Sequence, residues 1–126
     1  MADSFKLQGS YETTPLGQPT SFAASIVAPI SESKTLRAKQ LEDVNLGVDS
    51  PVSVPFGGVT SAHIVIMRAV GGKVKARITS ADGTNQAVPF DTYWILMSES
   101  VPLTAIDLTR TPGTETTVRV FLGEKA

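Results

Sequence analysis

Short apolar runs recur along this chain at intervals of roughly ten residues, divided by Gly, Pro and Asp turns, and that rhythm restricts the fold more than any other feature. Runs of about four to eight residues bounded by turn residues suit strands and are short for helices. From Ser21, SFAASIVAPI alternates Phe22, Ala24 and Ile26 with Ala23, Ser25 and Val27, and Pro29 reads as its stop. VNLGV and PVSVPF follow around Asp49-Ser50-Pro51, and then come SAHIVIMRAVGGKVKARITS, NQAVPF, DTYWILMS, LTAIDLT and TTVRVFLG. Residues 31–44, SESKTLRAKQLEDV, are the ambiguous piece. Ser33 could cap a helix, and Leu36, Gln40 or Leu41, and Val44 approach helical spacing. The thin apolar face and the β-branched Thr35 and Val44 favour extended structure there. No period repeats, which argues against a solenoid or propeller. The expectation is an all-β fold: a single antiparallel β-sandwich, jelly-roll-like, of about eight strands over residues 21–126. An extended N-terminal arm, residues 1–20, precedes it, with Pro15 and Pro19 interrupting any ladder and at most a short strand at Phe5–Gln8.

Two stretches yield finer expectations. If Gly71-Gly72 forms a two-residue hairpin turn, Val70 faces Lys73, Ala69 faces Val74 and Met67 faces Ala76. One face then carries His63, Val65, Met67 and Ala69 with Val74, Ala76 and Ile78. The other carries Ile64, Ile66, Arg68 and Val70 with Lys73, Lys75, Arg77 and Thr79. The cations Arg68, Lys73, Lys75 and Arg77 would thus sit together on one side of a hairpin, a candidate interaction surface. A solvated face is the favoured reading of that cluster, ahead of an acidic protein partner, with nucleic acid last. DTYWILMS is apolar on both parities, Trp94 and Leu96 against Tyr93, Ile95 and Met97, and a strand of that kind needs cover on both sides.

Composition removes several function classes. The 126 residues fit one domain, able to bury roughly two thirds of its unfolded surface. With no cysteine there is no disulfide framework and no thiolate metal site. Eleven cations against twelve carboxylates leave a net charge of −1, so bulk charge does not indicate nucleic-acid binding. The opening MADSFKLQGS lacks the basic-then-apolar order of a secretory signal, and no apolar run approaches a bilayer span. A soluble protein without a membrane partner is expected.

Catalytic signatures are absent as motifs. The single histidine, His63, could be combined with Asp107 and a serine into a triad, but no spacing selects them. One histidine without cysteine cannot supply a zinc site. Carboxylates occur as Glu42-Asp43, Asp49, Asp82, Asp91, Glu99, Asp107 and Glu115, and most stand in turn-like contexts, where Asp satisfies local amides. Asp82-Gly83-Thr84-Asn85 resembles a fragment of a calcium loop but lacks the further acids at alternate positions. Gly57-Gly58 and Gly71-Gly72 lack the spacing of phosphate loops. The expectation is no enzyme, no cofactor and no metal.

The C-terminal 75 residues carry an order of motifs that does have a parallel: VSVPFGGVTSAHIVIMRAVGGKVKARITS, then AVPFDTYWILMSESVPLTAIDLTR, then TETTVRVFLG. An FGG-V-T turn leads into an apolar strand, a Gly pair and a basic strand; an aliphatic-Thr-x-aliphatic run and a closing V-R-V-x-L-G strand follow. This resembles the small β-sandwich structural proteins of tailed bacteriophage particles. The resemblance implies a virion component assembled in the bacterial host cytoplasm: a capsid decoration (cement) protein first, a tail or baseplate element second. It implies the major capsid protein or another virion protein as partner, together with self-association into a homo-oligomer, and brings no catalytic residues. The alternative from a different class is a carbohydrate- or ligand-binding β-sandwich module. A sugar platform wants two or three flat rings on one surface, whereas Phe5, Tyr11, Phe22, Phe56, Phe90 and Phe121 are scattered and Tyr93 and Trp94 sit in the most apolar run.

Overall fold

Residues 3–11 and 28–126 are described by a computed structural model. Nine strands occur among them: β1 (Asp3–Tyr11), β2 (Ala28–Leu46), β3 (Val52–Ser53), β4 (Ile64–Val70), β5 (Val74–Ser80), β6 (Asn85–Phe90), β7 (Tyr93–Met97), β8 (Leu103–Arg110) and β9 (Thr116–Lys125). The described residues contain no helix. The ambiguous segment 31–44 is extended throughout, inside β2.

The pairing has the logic of one long antiparallel hairpin rolled up on itself. β5 pairs with β6 around the Asp82-Gly83 turn, and then β4 with β7, β3 with β8 and β2 with β9. Rolling brings β4 beside β9 and β5 beside β8, all antiparallel. Two sheets result, ordered β1-β2-β9-β4-β7 and β3-β8-β5-β6. With β1 set aside, this is the eight-stranded, two-sheet arrangement of a jelly roll.

Between the sheets lies the core. β2 contributes Val44 and Leu46, β4 Val65, Met67 and Ala69, and β9 Val118, Val120 and Leu122. Opposite them stand Val74, Ala76 and Ile78 of β5, Phe90 of β6, and Ile106 and Leu108 of β8. Each set repeats every second residue, as one-face burial of a strand requires. Burial of these side chains from water is the main force holding the two layers together.

The Gly71-Gly72 hairpin does not form. β4 and β5 belong to different sheets, and the glycine pair carries the chain around the corner between them. A corner and a tight hairpin both demand glycine, so the local signal is shared. Gly71 has φ +114°, and a Cβ there would stand 2.5 Å from the Glu115 carbonyl oxygen, so glycine alone fits. The expected division into faces survives the correction, because the apolar faces of β4 and β5 meet across the core instead of lying side by side. Pro29 also differs from expectation: it is the second residue of β2, paired with Ser10, and does not end a strand there. The strand expected before it, from Ser21, lies outside the described residues.

β1 pairs only with residues 28–36 of β2, and the pairing with β9 begins at Leu36, where the two stretches meet. The two form a ribbon running past β9 by roughly 25 Å at ordinary strand rise. The expected arm is therefore built from residues on both sides of the boundary at 20, and its strand is longer than Phe5–Gln8. By register, positions 5, 7, 9 and 11 share one ribbon face with 28, 30, 32, 34 and 36. The positions of the Leu36 parity combine Phe5, Leu7, Tyr11 and Ile30 with the charged Asp3, Glu32 and Lys34, and the other parity holds Ser4, Lys6, Gln8, Ser10, Pro29, Ser31, Ser33 and Thr35.

Candidate docking surface

A sandwich strand buries one parity and presents the other, so the outer faces of the two sheets follow directly from the register. On the five-stranded sheet, Leu41 of β2, Phe121 of β9, Ile66 of β4 and Ile95 of β7 line up as one continuous row. All four are apolar. Leu41 is 63% exposed and Ile95 49%, with Ile66 and Phe121 half-buried between them. An outward row of this composition is unusual for a face that ends in water.

The next row toward the ribbon is Lys39, Gly123, Ile64 and Met97. Ile64 lies outside the main core yet is buried, as is Leu36 at the root of the ribbon. Gly123 explains how. A Cβ at that position would meet Leu36 at 3.2 Å and the Phe121 ring at 3.3 Å, so the missing side chain gives Leu36 its seat. A bulge between Leu36 and Ala38 turns Leu36 onto this side of the sheet. Leu36 thereby extends the apolar surface from Phe121 to the root of the ribbon.

On the other flank runs Asp43, Arg119, Arg68 and Tyr93. Arg119 donates to both Asp43 oxygens, Nε at 2.9 Å and Nη2 at 3.3 Å, and this hydrogen bond holds the Asp43 carboxyl below the ordinary carboxylate range. The Arg68 guanidinium stands 5.6 Å from the Tyr93 ring centre, a cation–π distance. Beyond this row lie Asn45, Thr117 and the exposed Val70. The surface thus has an apolar centre and a cationic border.

A latch fixes the ribbon's root. Arg37 Nη2 donates to Glu124 Oε1 at 2.8 Å and to Thr60 Oγ1 at 3.2 Å, while the Thr60 amide donates to the same Glu124 oxygen at 2.9 Å. The Arg37 hydrogen bond holds the Glu124 carboxyl below its usual range in spite of its shelter, and the amides of Thr60 and Ser61 act in the same direction. The Ala126 amide closes the arrangement by donating to the Thr35 carbonyl.

The four-stranded sheet presents a different outer face. Ser53, Asp107, Arg77 and Ala87 form one row, and Thr109, Lys75 and Pro89 the next. Ser53 Oγ donates to Asp107 at 2.7 Å. Lys73 and Lys75 border a shallow cleft with Asp49, Pro89, Arg110 and Pro112 at one end of the sandwich. The expected four-cation cluster is therefore divided: Arg68 lies on one sheet's outer face, Lys75 and Arg77 on the other's, and Lys73 at the corner between them. Its unity depended on the hairpin.

The remaining chemical candidates do not converge. His63 sits just before β4, where its Nδ1 accepts from the Lys125 amide at 3.3 Å. Asp107 is on the opposite sheet from β4, so the histidine and this carboxylate, which no spacing had selected, are not brought together. Asp49 accepts from the Gly113 amide at 3.0 Å and from Arg110 at 2.9 Å, and these bonds, the amide first, lower its pKa. Asp82 accepts the Thr84 amide at 3.0 Å, which lowers its pKa and makes the Asp82-Gly83 segment an ordinary turn. Among the described residues no group of three or more His, Asp or Glu is placed to hold a metal ion, and no helix is long and apolar enough to cross a membrane.

DTYWILMS is the one sequence signal that pointed to the docking face. In β7 the half-buried Trp94 and Leu96 pack against the core, while Tyr93 (55% exposed) and Ile95 face outward. The second cover that its composition demands is not provided by any described residue. Comparisons with protein-family models, with curated proteins and with solved structures gave no match.

Proposed function

We propose that this chain is a non-enzymatic structural protein that binds a neighbouring protein surface through the outer face of its five-stranded sheet. Its setting is a tailed-phage particle, where it acts as a capsid decoration (cement) protein. The carrying observation is the apolar row Leu41–Phe121–Ile66–Ile95, with Leu36 seated beside it at the root of the ribbon. An exposed apolar patch with a charged rim is the usual form of a protein-binding site. The ribbon supports the same role, because an isolated two-stranded hairpin is marginal in water and gains stability from packing against a partner. The phage setting is supported by the FGG-V-T and V-R-V-x-L-G motifs, which here form the approach to β4 and the β9 strand. Tail or baseplate proteins would use the same face, so the address is decided by experiment.

The test is co-sedimentation with expanded phage capsids that lack the protein. Saturable, stoichiometric binding that is lost in Leu41→Lys supports the proposal. Absence of binding to capsids together with binding to tails would relocate it, and glycan binding without either would replace it with the carbohydrate module.

A further inference from the structure

We propose that β7 is a self-association edge: two copies of this chain pair their β7 strands antiparallel about a two-fold axis, joining two five-stranded sheets into one continuous sheet. This goes beyond particle docking, since it needs no shell.

The two sheets have four edges, β1 and β7 in one, β3 and β6 in the other. Natural sheets blunt such edges with short strands, proline, or charge, because an open row of amides and carbonyls recruits further strands. Three of the four edges are blunted. β3 is two residues long, β6 carries Pro89 with no N–H to offer, and β1 carries Lys6 in its middle. β7, Tyr-Trp-Ile-Leu-Met, has no charge, no proline and no glycine. Acids stand only beyond its ends, at Asp91 and Glu99.

The ladder with β4 shows which groups face outward. The Ala69 amide donates to Thr92 and the Ser98 amide to His63, which sets the alternation: the even residues of β7 bond to β4. The N–H and C=O groups of Tyr93, Ile95 and Met97 therefore point to the open edge, and among the described residues nothing pairs with them. An antiparallel strand pairing with its own copy is self-complementary about a two-fold axis. Centred on Ile95, it sets Ile95 against Ile95 and Tyr93 against Met97 on the outer face, and Trp94 against Leu96 on the inner. Every cross-strand pair is apolar, and the Tyr–Met pair places sulfur beside a ring. The like-charged Asp91 and Glu99 meet at the ends, which confines pairing to the five apolar residues. The outcome places two docking rows end to end, so a dimer presents a doubled apolar face.

The chain has no cysteine, so a single introduced thiol reports one contact. Ile95→Cys should form a covalent dimer on mild oxidation, because the paired Cα atoms of two adjoining strands lie within disulfide reach. Leu41→Cys, exposed on the same face but away from the edge, should not. By light scattering the wild-type free chain should be a dimer at micromolar concentration. Ile95→Pro should be monomeric, as it removes an outward donor while sparing the β4 ladder. Ile95→Lys is the second variant, should the proline impair folding. A monomeric wild-type chain would overturn the proposal, as would a dimer unaffected by Ile95→Lys, or one crosslinked through Leu41→Cys and not Ile95→Cys. None of these readouts involves capsids, so failure here and failure of particle docking are separately visible.

Discussion

The two outer faces of this sandwich are built by the same alternation and differ in what they expose. On the four-stranded sheet the outward positions are mostly polar, Ser53, Asp107, Arg77, Thr109, Lys75 and Thr79, with only the small Ala87, Ala105 and Pro89 among them. On the five-stranded sheet the corresponding positions include Leu41, Ile66, Phe121 and Ile95. Both sheets bury equally apolar inner faces, so stability does not require the second apolar layer. Folding needs one greasy face per sheet, and a second one is a statement about partners. The same contrast holds at the edges, where β3 and β6 are blunted and β7 is not.

The comparison can be broken or sharpened by substitution. The largest effect belongs to the shared core: Leu108→Ala, fully buried on the polar-faced sheet, should cost about 3–4 kcal/mol in urea unfolding. Trp94→Ala should cost less, about 2–3 kcal/mol, since the ring is only partly covered where β7 meets the core. A loss as large as that of Leu108→Ala would show that the edge strand is as deeply integrated as the centre. The ribbon latch is next. The Glu124 carboxyl is depressed in the folded chain, so its stabilising contribution is present above the unfolded carboxylate range and is lost as pH falls through the folded value. Glu124→Gln should therefore flatten the acid limb of the stability-versus-pH curve, read from thermal melts stepped downward in pH. Asp43 is depressed in the same direction but lies exposed on the docking face, where solvent screens the pair. Asp43→Asn should flatten that limb less, and a greater effect would reverse the assignment of the latch. The smallest effect is expected at Lys75→Glu, within about 0.5 kcal/mol, because its face is solvated.

Much of this architecture was legible from residue alternation. The strands at 64–70, 74–80, 85–90, 93–97, 103–110 and 116–125 all follow apolar runs closed by Gly, Pro or Asp, and the inward parity of β4, β5 and β9 was readable residue by residue. Segment 31–44 was correctly extended, because Thr35 and Val44 outweigh a helical face made of too few apolar positions. What alternation does not carry is which strands are neighbours. Val65, Met67 and Ala69 read the same whether Val74, Ala76 and Ile78 lie beside them or across the core, and Gly71-Gly72 serves either geometry. That ambiguity assembled four cations into a cluster that the fold divides. The docking row was hidden for a related reason: Leu41, Phe121, Ile66 and Ile95 come from four strands far apart in sequence, and only the register aligns them. The one local trace was β7, apolar on both parities, whose demand for a second cover no described residue meets.

The most direct test of the difference between the faces is paired co-sedimentation of Leu41→Lys and Lys75→Glu with expanded capsids, both variants first matched to the wild type in melting temperature. The account predicts that Leu41→Lys loses binding and Lys75→Glu keeps it. Binding retained by the first and lost by the second would place the partner on the polar face and contradict it.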